Sequence, residues 1–155
     1  QGTKGIKLIH ITGDGEYKSV LSQLGITNGD GLGDSSVILP YLHDMPKALA
    51  AADLAVFRSG AIGLAELAVR GIPSVLVPYP YAAEDHQTYN ARIFVQEGAA
   101  HMIVDQMLSA HDLIGEIEMF MANRDLLSQM GERALQLGKP NAAHDIAKLA
   151  ISIAK

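Results

Sequence analysis

The fold of this chain is most constrained by an alternation of short apolar runs with helical patterns, which repeats five times. The apolar runs cover residues 6–11, 37–39, 54–57, 74–77 and 101–104. Continuous apolar runs of this length are typical of strands that are covered on both faces of a parallel sheet. Helices between such strands provide the right-handed crossovers that parallel pairing requires. We therefore predict a doubly wound α/β domain with a mostly parallel sheet.

The helical patterns support this fold class and extend it at the carboxyl end. Predicted helices cover residues 16–24, 44–52, 61–70, 84–96, 109–121, 124–137 and 141–154, and residues 29–36 are predicted to form a flexible, glycine-rich loop. The last three helices follow one another without a strand between them. The domain is therefore expected to end in a helical tail.

Length and composition narrow the classes of function. With 155 residues, the chain is expected to form a single domain over residues 1–155. It contains no cysteine, which excludes disulfides, thiol catalysis and cysteine-ligated zinc. A formal net charge of −5 argues against binding nucleic acid through overall charge. Because the chain begins with Gln1 instead of Met, we expect it to be a piece of a longer protein.

A candidate site follows the third predicted strand, at the start of a helix whose first residues have few side-chain atoms. Ligands of open parallel sheets bind outside the carboxyl ends of the strands. The sequence Gly60-Ala61-Ile62-Gly63 leaves backbone N–H groups and the helix dipole accessible to a phosphate. Glu66 lies one turn further on the face of Ile62, where its carboxylate is placed to bind a vicinal diol such as ribose. The alternative is a helix packed tightly on the sheet, with Glu66 merely solvated.

Polar side chains also cluster after the fourth predicted strand. His86, Gln87 and Asn90 lie in the first turns of a helix that Asp85 is predicted to cap. Amide and imidazole groups offer both hydrogen-bond donors and acceptors, which suits neutral, hydroxyl-rich ligands. The alternative is an ordinary, solvated helix start.

The two remaining strand ends contribute further candidates. His10 and Thr12 lie at the end of the first strand, and Tyr41, Leu42 and Met45 follow the second, where backbone groups suit a flat heterocycle. The histidines show no metal-ligand spacing, and the sequence has no Asp-x-Asp pair, P-loop or Gly-x-Ser-x-Gly motif. We therefore expect no cofactor, no metal site and no catalytic nucleophile in this chain.

Taken in order, these motifs resemble the MurG family of glycosyltransferases. The matching segments are residues 10–13, 44–45, 52–54, 58–61, 65–66, 71–73, 78–80, 86–91 and 98–100, spread over nearly the whole chain. The resemblance covers only the carboxyl-terminal half of that family, whose complete chains are considerably longer. It implies the donor-binding half of a GT-B protein, which is built from two Rossmann-like domains.

The resemblance implies binding of UDP-N-acetylglucosamine (UDP-GlcNAc) and transfer of its sugar to the 4-hydroxyl of lipid I. That reaction forms lipid II for peptidoglycan synthesis, inverts the anomeric configuration and needs no catalytic metal. By position, Leu42 matches the residue whose backbone contacts uracil, and Glu66 matches the ribose-binding carboxylate. The other implied binding residues are Tyr41 and Met45 beside uracil, Gly60, Ala61, Ile62 and Gly63 at the diphosphate, His86 and Gln87 at the sugar, and additionally His10, Thr12, Arg58 and Asn90.

Two positions depart from the family pattern. Family members usually have small hydroxyl residues where Ile62 and Gly63 stand, so only backbone amides remain for the phosphates here. The sugar-binding pair is often Gln-Gln, and in this chain it begins with His86. A histidine still offers one donor and one acceptor, so its assignment to the sugar is kept.

The resemblance also implies partners that this chain does not contain. An amino-terminal domain would supply the acceptor site, the membrane-facing patch and any general base, and a preceding strand would bring a Gly-Gly-Ser-type phosphate loop. We therefore expect the isolated chain to be inactive. The full-length protein is expected to lie at the cytoplasmic face of the bacterial plasma membrane as a peripheral protein that meets lipid I and binds no nucleic acid.

Two other hypotheses remain open at this point. One is a nucleotide-sugar epimerase of the same fold, which would need extra acid–base carboxylates near the sugar. Only Glu84 and Asp85 are candidates for that role. The other is a non-catalytic α/β interaction domain, which would bind no nucleotide.

Overall fold

A computed structural model describes residues 5–30, 32–33 and 35–154. The predicted loop over residues 29–36 is thus described in part, since Gly31 and Asp34 lie outside the described residues. The strands are β1 (Leu8–Ile11), β2 (Ser36–Leu39), β3 (Ala55–Phe57), β4 (Ser74–Leu76) and β5 (Ala100–Met102). The helices are α1 (Asp14–Leu24), α2 (Met45–Ala51), α3 (Ala61–Arg70), α4 (His86–Gln96), α5 (Ala110–Ala122), α6 (Arg124–Leu137) and α7 (Ala142–Ile153). The predicted α/β alternation and helical carboxyl end are confirmed.

The chain divides into two compact units, residues 1–50 and residues 51–155. In the first unit, β1 and β2 pair in parallel, with Ile11 opposite Leu39. In the second unit, β4 lies between β3 and β5, and both pairs are parallel. Every strand pairing within the described ranges is therefore parallel, as predicted. The single domain over the whole chain stays a prediction.

The core of the second unit surrounds its central strand. All three residues of β4 are buried, which explains why this strand has no alternation of polar and apolar side chains. One hydrophobic cluster contains Val75 of β4, the residues that directly follow β4 and β5 (Val77 and Ile103), Phe120 of α5, and Leu127 and Met130 of α6. Burial of these side chains fixes the sheet against the two helices.

Helix α3 has the predicted bounds because glycines stand at both ends. Gly60 precedes it in an extended conformation. Gly71 ends it at φ 66°, a left-handed conformation that favours glycine, and its N–H donates to the last carbonyl groups of the helix. Leu64, Leu67 and Ala68 are the buried residues of α3. These three residues form the core face of the helix.

Helix α4 begins two residues later than predicted. Glu84 and Asp85 both have φ 52°, and a helix of L-residues does not continue through left-handed positions. Residues 83–85 form a separate 3₁₀ turn, and the helix starts at His86. Asp85 precedes the helix as predicted, but its carboxylate accepts a hydrogen bond from Thr88 Oγ1 at 2.5 Å instead of from a backbone N–H.

The last helix differs from the others in its surroundings. Every residue of α7 is exposed, including the apolar residues Ile146, Leu149, Ile151 and Ile153. Over the described ranges, no helix combines the length and the apolar character that crossing a membrane requires.

Candidate functional site

The start of α3 presents backbone N–H groups without side-chain cover. Gly60 has φ −68° and ψ 144° and provides no side-chain cap. The first amide bonded within the helix is that of Leu64, which donates to the Gly60 carbonyl at 3.1 Å. The N–H groups of the three preceding residues have no partner inside the helix. Since Ile62 is 80% exposed, its side chain does not pack into the core and leaves this end of the helix open.

Gly63 also has a packing role in the first turn of α3. A Cβ atom at this position would lie 3.0 Å from Cδ1 and 3.1 Å from Cε1 of the Phe57 ring. The missing side chain therefore lets α3 approach the last residue of β3 closely. The hypothesis of tight packing on the sheet accounts for Gly63, but it does not account for the exposed Ile62.

Glu66 is half-buried one helical turn beyond Ile62. None of the four ion pairs among the described residues involves it. Its neighbours on the other side of the helix, Leu64 and Leu67, are buried. The Glu66 carboxylate is therefore available to a ligand near the open helix start.

A buried serine connects the starts of α3 and α4. Ser59 is fully buried, and its hydroxyl donates to the backbone carbonyl of Gln87 at 2.8 Å. The side-chain Nδ2 of Asn90 donates to the Ser59 carbonyl at 3.1 Å. These bonds bring the predicted residues Gly60, Gln87 and Asn90 into one local structure. Ser59 has no role predicted from the sequence, because a serine before a glycine gives no signal of burial.

The side chains at the start of α4 have defined hydrogen-bonding capacity. Gln87 Oε1 accepts the backbone N–H of Tyr79 at 3.0 Å, so the side-chain Nε2 is the donor that Gln87 still offers. His86 Nδ1 lies 2.7 Å from the Ala83 carbonyl oxygen. A carbonyl only accepts, so Nδ1 carries the proton, and the neutral ring presents Nε2 as an acceptor. This pair thus offers a ligand one acceptor and one donor.

Arg58 contacts the segments that follow β4 and β5 in the second unit. Its Nη1 donates to the carbonyl groups of Val77 and Pro78, each at 3.2 Å, and pairs with Asp105 Oδ1. The guanidinium also lies over the Tyr79 ring, 5.7 Å from its centroid. These contacts make Arg58 a positioning residue in this unit. A role for Asp105 could not be predicted from the sequence, because its partner Arg58 lies 47 residues away.

The first unit carries the candidates that follow β1 and β2. Thr12 fastens the end of β1 to that of β2, since its N–H donates to the Leu39 carbonyl at 3.0 Å and its hydroxyl lies 3.3 Å from the same oxygen. His10 is exposed on β1.

The loop between β2 and α2 holds the remaining candidates. The Tyr41 ring packs edge-on against His43 at 4.9 Å, and Leu42 and Met45 are half-buried. The Asp44 carboxylate accepts the N–H of Lys47 at 3.3 Å and so caps the start of α2. In the part of the chain that the structure describes, no three His, Asp or Glu side chains cluster as metal ligands. The expectation of no catalytic metal stays a prediction.

Comparisons with known proteins identify relatives along most of the chain. The family model of the glycosyltransferase family 28 C-terminal domain matches residues 1–149. The UDP-N-acetylglucosamine--N-acetylmuramyl-(pentapeptide) pyrophosphoryl-undecaprenol N-acetylglucosamine transferase of Desulforamulus reducens is 41% identical over 145 residues, which are 92% of this chain and 39% of that protein. The protein of the same name from a Thermoanaerobacter species is 38% identical over 153 residues, or 99% and 42% of the two chains. This chain thus spans about two fifths of the length of these curated relatives.

Solved structures agree with the sequence relatives. The crystal structure of Acinetobacter baumannii MurG matches with a TM-score of 0.78 and 29% identity over 94% of this chain and 42% of that one. The glycosyltransferase VinC in complex with DTDP matches with a TM-score of 0.67 over 98% of this chain and 43% of that one, at 13% identity, which shows the fold alone. The predicted resemblance to MurG and the GT-B glycosyltransferase fold are confirmed. The chain therefore belongs to the glycosyltransferase family 28 C-terminal domain.

Proposed function

We propose that this chain is the UDP-GlcNAc-binding half of a transferase that adds GlcNAc to lipid I and so forms lipid II for peptidoglycan. The observation that carries the proposal is the open start of α3 with the unpaired Glu66 carboxylate one turn beyond it. The relatives are N-acetylglucosamine transferases whose names include UDP-N-acetylglucosamine, and this identifies the ligand that we propose.

The start of α3 receives the donor's diphosphate. The N–H groups of Ala61, Ile62 and Gly63 donate to phosphate oxygens, and the helix dipole stabilises their negative charge. Glu66 accepts hydrogen bonds from the two ribose hydroxyls. Because the helix start supplies both donors and positive potential, the proposed site uses no catalytic metal and no cofactor.

The start of α4 binds the hydroxyl groups of the sugar. One hydroxyl donates to Nε2 of His86, and another accepts from Nε2 of Gln87. Asn90 and Arg58 act through other residues: Asn90 holds the carbonyl of Ser59, and Arg58 holds the segment that carries Tyr79. The exchange of glutamine for histidine at position 86 thus removes one donor from the site.

The uracil is assigned to the first unit. The backbone of Leu42 pairs with the base. Tyr41 and Met45, which are close to Leu42 in the sequence, are assigned to the same base. His10 and Thr12 belong to the same assignment, with Thr12 fixing the loop that follows β1. These roles are carried over by position in the family motif.

Transfer of the sugar requires more than this chain supplies. Charge that develops on the departing diphosphate must be stabilised while an acceptor hydroxyl is oriented and deprotonated. The start of α3 performs the first task. We assign the second to an amino-terminal domain that binds lipid I at the cytoplasmic face of the plasma membrane, where the full-length protein is peripheral. The isolated chain is expected to transfer no sugar.

A calorimetric titration with UDP and UDP-GlcNAc tests the proposal. Glu66→Ala removes charge-assisted hydrogen bonds worth about 1.5–3 kcal/mol, so the affinity for both ligands is expected to fall about tenfold or more. Glu132→Ala, which removes an exposed glutamate from α6, is the matched control and is expected to leave the affinity unchanged. Equal affinities of wild type and Glu66→Ala would remove Glu66 from the site, and a folded wild-type chain that binds neither ligand would refute the proposal.

The epimerase hypothesis receives no support from the described residues. It needs acid–base carboxylates beside the sugar, and the Asp85 carboxylate is bonded to Thr88 Oγ1. Glu84 is exposed on the 3₁₀ turn before α4.

A further inference from the structure

A tight turn after β4 displays two tyrosines. The Tyr79 carbonyl accepts the N–H of Ala82 at 3.2 Å, which closes a four-residue turn with Pro80 at its second position. Tyr79 is 45% exposed and Tyr81 is 83% exposed. Their rings meet edge to face, with centroids 5.6 Å apart and planes at 72°. We name this angled aromatic surface the Tyr79–Tyr81 platform.

The platform is held firmly although it is exposed. Pro78 and Pro80 on either side of Tyr79 restrict the backbone. The Tyr79 N–H donates to Gln87 Oε1, and the Arg58 guanidinium lies 5.7 Å from the ring centroid of Tyr79. A surface that is ordered before binding loses little conformational entropy when a ligand packs on it. Such an exposed aromatic surface is therefore suited to binding.

We propose that the Tyr79–Tyr81 platform packs against the apolar C–H face of an N-acetylhexosamine ring whose hydroxyls bind His86 and Gln87. This inference rests on the proposed function. A pyranose ring has an apolar face of C–H groups and a rim of hydroxyls, so it needs an aromatic surface beside polar groups. The hydrogen bond from Tyr79 to Gln87 joins these two elements directly.

The angle between the rings favours a sugar over a flat base. A heterocycle stacks best between or upon parallel planes, whereas these two rings are inclined at 72°. A puckered pyranose ring with an N-acetyl methyl group presents apolar groups in more than one direction. Both the donor sugar and the N-acetylmuramoyl sugar of the acceptor have this chemistry, so the experiment must separate them.

Saturation-transfer NMR on the 155-residue chain tests the platform with UDP-GlcNAc as the probe. The uracil protons report nucleotide binding, and the sugar-ring protons report the platform in the same sample. Tyr81→Ala and Tyr79→Leu are expected to lower the ratio of sugar to uracil saturation about threefold, and to weaken UDP-GlcNAc binding about three- to tenfold while UDP binding is unchanged. Because Tyr81 is 83% exposed, its truncation is expected to leave the fold intact.

Tyr89→Ala is the matched control. Tyr89 is a 61% exposed tyrosine on α4 whose ring also lies 5.7 Å from an arginine, Arg92. Its removal is expected to leave both the saturation ratio and the affinities unchanged. An equal drop in this variant would overturn the proposal, since any exposed tyrosine would then have the same effect.

A second series uses N-acetylmuramic acid with the UDP-saturated chain. A loss of sugar saturation in the platform variants with UDP-GlcNAc assigns the platform to the donor sugar, and a loss only with N-acetylmuramic acid assigns it to the acceptor sugar. Unchanged sugar signals in both series, with uracil signals retained, overturn the platform and leave the proposed function standing. A wild-type chain whose protons saturate neither uracil nor sugar overturns both.

Discussion

The two helices that meet at Ser59 begin in opposite ways. Helix α3 starts from an extended glycine, without a side-chain cap and with bare amides over its first turn. Helix α4 starts from two left-handed residues, and its first turns are filled with side-chain hydrogen bonds from Gln87, Thr88 and Asn90. Ser59 bonds to the α4 start and immediately precedes the α3 start, so the two are fixed relative to each other.

In the proposed function, this contrast divides ligand recognition between backbone and side chains. The backbone amides at the start of α3 suit an anion, whose oxygens accept from any N–H, so the identity of the side chains there matters little. In the proposed function, Ile62 and Gly63 can therefore stand where the resemblance to the MurG family implies small hydroxyl residues. The start of α4 suits hydroxyl groups, which require donors and acceptors at defined places. Substitutions that remove a backbone N–H should therefore weaken ligand binding most at the start of α3. Substitutions that change a side chain should weaken it most at the start of α4.

Among substitutions at the two helix starts, Ala61→Pro is expected to weaken UDP binding most. Proline is tolerated at the first position of a helix, where it removes only an N–H that has no partner within the helix. The extended conformation of Gly60 (φ −68°, ψ 144°) is the one that a residue before proline prefers. We expect the loss of one charge-assisted hydrogen bond, about 1.5–3 kcal/mol, to weaken UDP binding about tenfold or more with little change in melting temperature.

Ala110→Pro is the matched control for this substitution. Ala110 is the first residue of α5, and it likewise follows an extended residue, Ser109 (φ −116°, ψ 156°). Calorimetry should give the same UDP affinity for Ala110→Pro as for wild type. If Ala61→Pro also binds UDP with unchanged affinity and remains folded, the amide of Ala61 does not contact the diphosphate.

A smaller effect, on stability, is expected from Gly63→Ala. Alanine favours a helix interior over glycine by about 0.5–1 kcal/mol, but here its Cβ meets the Phe57 ring at 3.0 Å. Overpacking of this kind typically costs about 1–3 kcal/mol, so we expect the free energy of unfolding to fall by about 1 kcal/mol. Denaturant titration of the whole chain measures the change.

Gly115→Ala separates the two contributions. Gly115 lies within α5, and a Cβ atom there would meet nothing within 4 Å. This variant is expected to gain about 0.5–1 kcal/mol of stability from helix propensity alone. Combining Gly63→Ala with Phe57→Leu should recover part of the lost stability, because the two side chains compete for one space. Equal gains from alanine at both glycines would show that α3 does not need to approach β3 closely.

The same contrast explains how far the sequence predicts this molecule. The bounds of α3 follow from residues within and next to it, because glycines punctuate both ends and its buried face repeats with helical spacing. The parallel pairing follows in the same way from short apolar runs. These features depend on local sequence, so they can be predicted without knowing what the chain packs against.

The start of α4 depends on contacts that the sequence does not show. Left-handed conformations at Glu84 and Asp85 are uncommon for residues other than glycine, and the Thr88 hydroxyl donates to the Asp85 carboxylate beside them. The pairing of Arg58 with Asp105 and the burial of Ser59 likewise depend on residues far away in the chain. Non-local contacts of this kind leave no periodic pattern, which is why the side-chain geometry of the site had to come from the structure.

The smallest expected effect is a gain of stability from Glu84→Gly. Glu84 is exposed and has φ 52°, a conformation that costs an L-residue energy and costs glycine almost none. We expect the substitution to stabilise the chain by about 0.5–1 kcal/mol and to raise the melting temperature by a few degrees. Since the side chain of Glu84 takes no part in the proposed sugar contacts, UDP-GlcNAc affinity should stay the same.

Glu97→Gly at the other end of α4 is expected to lower the stability of the chain. Glu97 is also exposed, but it has φ −78° and a right-handed conformation, in which glycine only adds freedom to the unfolded chain. Its melting temperature is expected to fall below that of wild type. A gain from Glu84→Gly together with a loss from Glu97→Gly would show that the left-handed start of α4 is strained, and that the hydrogen bonds of its first turns are strong enough to hold it. A loss from both variants would mean that the backbone before His86 is right-handed in solution, and the side-chain geometry assigned to the sugar would have to change with it.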